Sequence, residues 1–135
     1  MLANISVADT PAAVTRFYEA LRHKDVTRLR QLLAPNFVAW ASAGMPLGAG
    51  GVHESAMAAV ADLWAVVHQS YDVAPIPARI WPSADGEVIV HGWYEGTVRR
   101  DGASVRAEFV HLLRVEGDVL VELRQITDTG SWGAP

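Results

Sequence analysis

The chain has no cysteine, which removes disulfides, thiolate catalysis and cysteine metal sites. It has no run approaching the roughly 20 apolar residues that a membrane-spanning helix needs. Met1 to Thr10 lacks the basic start and apolar stretch of a secretory signal, so a cytoplasmic protein with no membrane partner is expected. Clustered cations are missing too. The eleven Lys and Arg are scattered through 135 residues of net charge −4, and affinity for phosphate backbones rests on grouped positive charge, so no nucleic-acid partner is expected. His53, His68, His91 and His111 show no HxH or HxxxH spacing. Neither a metal nor a cofactor is expected.

What is present is globular. Half of the residues are hydrophobic and 19% are charged, enough apolar material for one domain over residues 1–135 to bury a core. Asp9 or Thr10 can cap a first helix, with Pro11 in its first turn and Val14, Phe17, Tyr18 and Leu21 at helical spacing. Asp25 can cap a second, whose apolar face is Val26, Leu29, Leu32 and Leu33, and which Pro35 and Asn36 end. Phe37 to Ser42 reads as a short strand, and the glycine-rich Gly44 to Gly51 as a loop that could act as a lid. A third helix is predicted over about 54–69, with Met57, Val60, Ala61, Trp64, Val67 and His68 on its buried face. Tyr71 to Trp81 is extended, and because Pro75 and Pro77 cannot donate ladder bonds it is expected to be an edge strand or irregular. Three strands follow, Glu87 to Arg100, Ala103 to Val115 and Val119 to Thr127, joined by Asp101-Gly102 and Glu116-Gly117-Asp118. Helices first and a meander last predict an α+β fold.

The turns predict a register. Pairing Arg100 with Ala103 and Val115 with Val119 sets His111 opposite Gly92 and Leu123. One face then carries Val90, Tyr94, Phe109, His111, Leu123, Gln125 and Thr127; the other carries His91, Trp93, Glu95, Glu108, Val110, Leu112, Arg124, Ile126 and Asp128. Both faces are rich in large apolar residues, and three short helices can cover only one. A homodimer through Trp93, Val110, Leu112 and Ile126 is therefore expected. Asp128 is read as an ionic partner of Arg106.

Three segments carry a family resemblance: Thr15-Arg16-Phe17-Tyr18-Glu19-Ala20-Leu21 with Asp25-Val26; Gly44 to Gly51 leading into His53-Glu54; and Phe109 to Arg114 through Leu123 to Thr129. Their wording and order resemble the SnoaL-like branch of the nuclear-transport-factor-2-like superfamily. The resemblance implies a cone-shaped α+β barrel, a curved antiparallel sheet wrapped around three N-terminal helices, enclosing a pocket for a small apolar molecule. The superfamily includes isomerases, cyclases, epoxide hydrolases and binding domains. The helix-one Tyr, strand-one Asp and later-strand Asp of ketosteroid isomerases fall on Phe17, Ala41 and His111 by element matching. The final-strand Asp of limonene-type epoxide hydrolases falls on Gln125. For a cyclase of the SnoaL type, His111 is the nearest acid–base group.

The candidates follow. His111, mid-strand on the concave face, is the acid/base candidate, because an imidazole exchanges protons near neutral pH. Tyr94 and Gln125 are placed beside it to polarise a substrate oxygen, and Phe17, Trp40, Trp64, Phe109, Leu123 and Thr127 to line the pocket. Each has a plainer alternative in core packing or in a satisfied buried hydrogen bond. His53 reads as a surface residue. The expected function is a cofactor-independent isomerase or cyclase acting on a hydrophobic, polyketide- or steroid-like carbonyl compound. Two alternatives stay open: a non-catalytic binding domain for a small apolar ligand, and an epoxide hydrolase-like enzyme.

Overall fold

A computed structural model describes residues 10–135. Asp9, a proposed helix cap, lies outside them. Thr10 does not cap either, since Pro11 holds the N-cap position of α1 (Ala12–His23) without a side-chain bond. Lys24 ends α1 in the left-handed conformation, φ 57°, with Asp25 N–H bonding back to the Ala20 carbonyl. A lysine there gives up about 1–2 kcal/mol relative to relaxed backbone. Asp25 caps α2 (Val26–Leu32) as expected, accepting from Arg28 N–H at 3.0 Å. The helix then stops early. Leu33 is already extended, and Pro35 and Asn36 belong to β1 (Leu33–Ala41) rather than to a helix end.

After β1 comes a short turn at Pro46–Gly48 and a three-residue β2 (Gly51–His53), so part of the glycine-rich segment is a strand. The third helix, α3, covers 56–70: an α turn Ala56–Ala59 capped by Ser55, a π turn Val60–Trp64, and an α segment Ala65–Ser70. Its buried stripe is rotated by one residue from the expected one. Ala59, Val60, Leu63 and Val67 are buried, while Met57 is 77% exposed and Ala61 and His68 face outward. Small alanines let the helix approach β1 closely, and that contact outweighs the size of Met57.

β3 (Tyr71–Pro82), β4 (Glu87–Val98), β5 (Ser104–Glu116) and β6 (Val119–Thr127) form an antiparallel meander. The sheet order is β2-β1-β6-β5-β4-β3, unclosed, with one parallel junction between β1 and β6. β3 lies at an edge, as its prolines require.

Both hairpin registers differ from the expected ones by two residues. Arg99 N–H bonds to the Ser70 carbonyl at the end of α3, and Val98 N–H closes the turn on Ala103, so the first hairpin loop is longer than Asp101-Gly102 alone. The second turn pairs Glu116 with Val119, one residue from the expected pairing, and a bulge at Arg114/Val115 adds the other. His111 consequently faces Val90 and Gln125 instead of Gly92 and Leu123. A shift of two preserves the parity of the strand, and the two faces keep the membership expected of them. Val90, Tyr94, Phe109, His111, Leu123 and Gln125 are buried, and the opposite set is exposed or half-buried. The core lies between this concave face and the three helices.

Candidate functional site

Gly92 prepares the site. It lies between Val90 and Tyr94 on the concave side, where a Cβ would meet the Ile76 carbonyl and, at 3.0 Å, the Phe109 ring. With no side chain there, Phe109 lies flat over the gap. Its ring stacks on His111 at 4.0 Å between centroids and touches Tyr94 at 4.9 Å. The imidazole is thereby held in an apolar wall.

Two phenols meet its two nitrogens. Tyr18 Oη lies 2.7 Å from His111 Nδ1, and Tyr94 Oη lies 2.8 Å from Nε2. Gln125 donates from its amide to Tyr94 Oη at 3.0 Å, and its Oε1 accepts from Ser42 N–H at 3.3 Å, which fixes the orientation of the amide. Burial pushes the His111 pKa down to about 3, so the ring is neutral. Burial raises Tyr18 well above the usual phenol value, helped by the neighbouring Tyr94. Tyr94 is raised by burial against the opposing effect of the Gln125 hydrogen bond. Both phenols stay protonated.

Counting protons then constrains the network. A neutral imidazole has one N–H and one lone pair. If Nδ1 carries the proton, Tyr94 donates to Nε2, and the Tyr18 O–H is left without an acceptor among the described residues. If Nε2 carries it, Tyr18 donates to Nδ1, Tyr94 accepts from His111 and from Gln125, and the unused proton belongs to Tyr94. Tyr18 is deep in the core, where an unmade bond costs about 1–3 kcal/mol. Tyr94 opens on a cavity. The second arrangement is favoured, and it aims a phenol proton into the cavity.

That cavity has a volume of about 490 Å³, in the range of small-molecule sites. Its exposed lining residues, Asp25, Val26, Ala65, His68 and Gln69, with half-buried Lys24 beside them, mark the mouth, and buried ones, among them Met45, Tyr71, Tyr94, Gln125 and Trp132, mark the floor. Trp64 and the other residues of the π turn that face inward lie along its side. The left-handed Lys24 is pinned at the rim, its Nζ donating to the Val73 carbonyl at 2.9 Å. His68 is pushed below its usual pKa by partial burial and then by Arg99 and Lys24. Among the described lining residues the only carboxylate is Asp25, occupied in capping α2.

Of the expected site residues, Tyr94, Gln125 and Trp64 line the cavity. His111 stands behind Tyr94, 1% exposed, and reaches the cavity through it. Phe17, Phe109 and Leu123 are core residues around the network. Trp40 is misplaced by the sequence reading: it projects from the convex side of β1, where Arg124 sits 4.7 Å over its ring. Thr127 does not face the cavity either. Its hydroxyl donates to the Glu108 carbonyl and accepts from the Trp132 indole. His53 is buried, not exposed, and its Nε2 lies 2.8 Å from the Ala49 carbonyl. Asp128 accepts from Ser131, while Arg106 pairs with Glu95. Sequence reasoning missed Tyr18, Ser42, Lys24 and Trp132. Tyr18 was visible as part of the α1 stripe. Among the described residues, no group of three or more potential ligands is placed to hold a metal, and no helix is long and apolar enough to cross a membrane.

An unclosed curved sheet over two short helices and one long one is the architecture of NTF2-like proteins. The chain belongs to the SnoaL-like domain family, whose model matches residues 14–123. An NTF2-like protein from Burkholderia thailandensis is 28% identical, with a TM-score of 0.76 over 88% of this chain and 90% of its own. TerC, co-crystallised with polyporic acid, shares the fold at 22% identity, with a TM-score of 0.77 over 87% and 90% of the two chains. A candidate polyketide cyclase from Sinorhizobium meliloti does so at 16% identity, with a TM-score of 0.71 over 90% and 100%. No curated protein matches the sequence.

Proposed function

We propose that the chain binds a small apolar carbonyl compound and acts on it as a cofactor-independent cyclase or isomerase, working as a homodimer in the cytoplasm. The observation that carries this reading is the placement of Tyr94, a cavity-lining residue whose Oη meets both His111 Nε2 and the Gln125 amide, so that by the proton count its own O–H has no acceptor among the described residues. A donor so placed, among apolar side chains, stabilises negative charge developing on a carbonyl oxygen. His111 acts through Tyr94 as a hydrogen-bonding support, not as a proton-transferring acid or base: its Nε2–H supports the phenol as charge builds, and Tyr18 supports His111 in turn. The relay ends on Tyr18, whose raised pKa disfavours a phenolate, so the network polarises the substrate and keeps its protons.

That property favours cyclisation over isomerisation. An isomerase needs a base for the proton beside the carbonyl, and the lining offers only Asp25 and His68, both at the mouth. A cyclisation in which the enol form of the substrate attacks its own carbonyl needs only the donor, because the enol O–H proton passes to the new alkoxide as the C–C bond forms and no protein base is required. The family and the cyclase-like neighbour support the same choice. Opening an epoxide needs an activated water, for which the floor supplies no carboxylate. The binding-domain alternative keeps its support, since apart from the polar mouth and the Tyr94–Gln125 pair the lining is apolar.

The dimer is proposed on the convex face, where Ile76, Ile89, Leu112 and Ile126 are exposed beside half-buried Trp93 and Val110. Patches of this kind mark interaction surfaces.

The test is direct. Native mass spectrometry identifies any compound that co-purifies, and the wild type, Tyr94→Phe and His111→Ala are compared on it. Tyr94→Phe is expected to weaken binding about tenfold, the worth of one hydrogen bond, and His111→Ala to lose turnover while retaining binding. Equal affinity in Tyr94→Phe would sink the donor role. Unchanged recovery of the compound after incubation with wild type would favour the binding domain.

A further inference from the structure

Behind β6 the chain turns back across the end of the cavity. A turn at Thr129–Ser131 delivers Trp132 to the floor, 1% exposed. Its indole N–H donates to Thr127 Oγ1 at 3.2 Å, and its ring meets Tyr71 edge-on at 5.3 Å and Tyr94 at 4.9 Å. The next residue is tied as well: the Gly133 carbonyl accepts from Tyr71 Oη at 2.6 Å. Arg100 donates to the Pro135 carbonyl at 3.1 Å. These residues lie beyond residue 123, where the family match stops, so this wall is built from sequence outside the matched region.

We propose that Trp132 is the specificity-determining residue of the cavity, the end wall that fixes what can extend past a carbonyl held by Tyr94. The inference rests on the reading of Tyr94 as the carbonyl donor. With the indole packed on the Tyr94 ring, an oxygen bonded to that phenol sits beside the wall. The group on the mouth side of the carbonyl has the apolar length of the cavity to occupy, between Leu63 and Met45. The group on the far side meets indole. The site therefore takes terminal or ring-end ketones, with a long apolar portion on one side and a methyl-sized portion on the other. It rejects ketones with two long arms.

Two isomers separate position from hydrophobicity. Nonan-2-one and nonan-5-one have the same composition and nearly the same apolar surface, and differ only in where the carbonyl sits. By titration calorimetry, the wild type is expected to bind nonan-2-one about tenfold more tightly, the discrimination a shaped apolar pocket gives for a few methylenes. Trp132→Ala is expected to bring the two within about threefold, by gaining affinity for nonan-5-one, and Trp132→Phe to fall between. Tyr94→Phe weakens nonan-2-one without moving the wall.

Equal binding of the isomers by the wild type, with Tyr94→Phe still weaker for nonan-2-one, overturns the role of Trp132 and leaves the carbonyl reading intact. Failure of the wild type to bind either ketone at millimolar concentration overturns both. Should Trp132→Ala not fold, Trp132→Phe decides: an isomer preference identical to wild type overturns the proposal.

Discussion

On the concave side of the meander, Val90, Phe109 and Leu123 are out of solvent, and the two polar side chains among them, His111 and Gln125, are joined through Tyr94. On the convex side of the same strands, Ile89, Leu112 and Ile126 stay exposed, interspersed with the Arg106–Glu95 pair at 3.2 Å and the His91–Glu108 pair at 2.6 Å. The apolar content of the two faces is similar; the handling of polarity is not. Inside, every unmet donor is costly, and the network runs out of acceptors at one atom, Tyr94 Oη, where the cavity begins. Outside, charges are paired across strands at little gain or cost, and nothing distinguishes one position from another. A face that can be read for chemistry is one where polarity is scarce and fully accounted for.

Removing His111 tests that contrast most severely. His111→Ala strands two phenols and leaves a void, and is expected to cost on the order of 3 kcal/mol in urea unfolding. A loss below about 1 kcal/mol would mean that water replaces the ring and the network is not closed. The same residue sets a pH dependence. An unfolded chain titrates its histidines near 6.5, whereas burial holds folded His111 down to about 3. Between those values the unfolded chain binds a proton that the folded one refuses. The stability present above about pH 6.5 is therefore lost as pH falls toward about 3, at up to about 1.4 kcal/mol per pH unit. The urea midpoint of wild type should drop more than that of His111→Ala between about pH 7 and about pH 4.5. Parallel curves would show that His111 is not the group responsible.

The convex side should respond in assembly instead. Leu112→Glu is expected to move the mass seen by light scattering from dimer to monomer and to make the unfolding midpoint independent of protein concentration, because the stability contributed by association is lost. A wild type that is already monomeric at micromolar concentration removes the proposed interface. Arg106→Ala, which loses the stacking over Trp93 at 4.4 Å and the Glu95 pair, is expected to cost about 0.5–1 kcal/mol.

Much of the fold was legible because strand alternation is robust. Both registers moved, yet by two residues, and each side chain of the meander stayed on its expected face. The site depended on what alternation does not encode. Only the bulge at Arg114/Val115 puts Gln125 opposite His111, and a bulge leaves no clear mark in composition. Phe17 and Tyr18 are neighbours on one helix, both buried, and packing alone decides that Tyr18 reaches the imidazole. Trp132 follows the last periodic segment, where no pattern assigns a direction. Trp40 was an avoidable error. Three residues from Phe37 along one strand, it cannot share that residue's face.

The parallel junction of β1 with β6 has a consequence for how the protein is made. Ala39 pairs with Leu123, so β1 waits for β6, which is made some eighty residues later. Until β6 emerges, β1 keeps an open edge, the kind of surface on which nascent chains associate wrongly. Gln125, which orients Tyr94, arrives with that same strand. A chain interrupted before Val119 therefore lacks both its central pairing and a formed ligand site, and ligand present during translation can select only molecules in which β6 has been made.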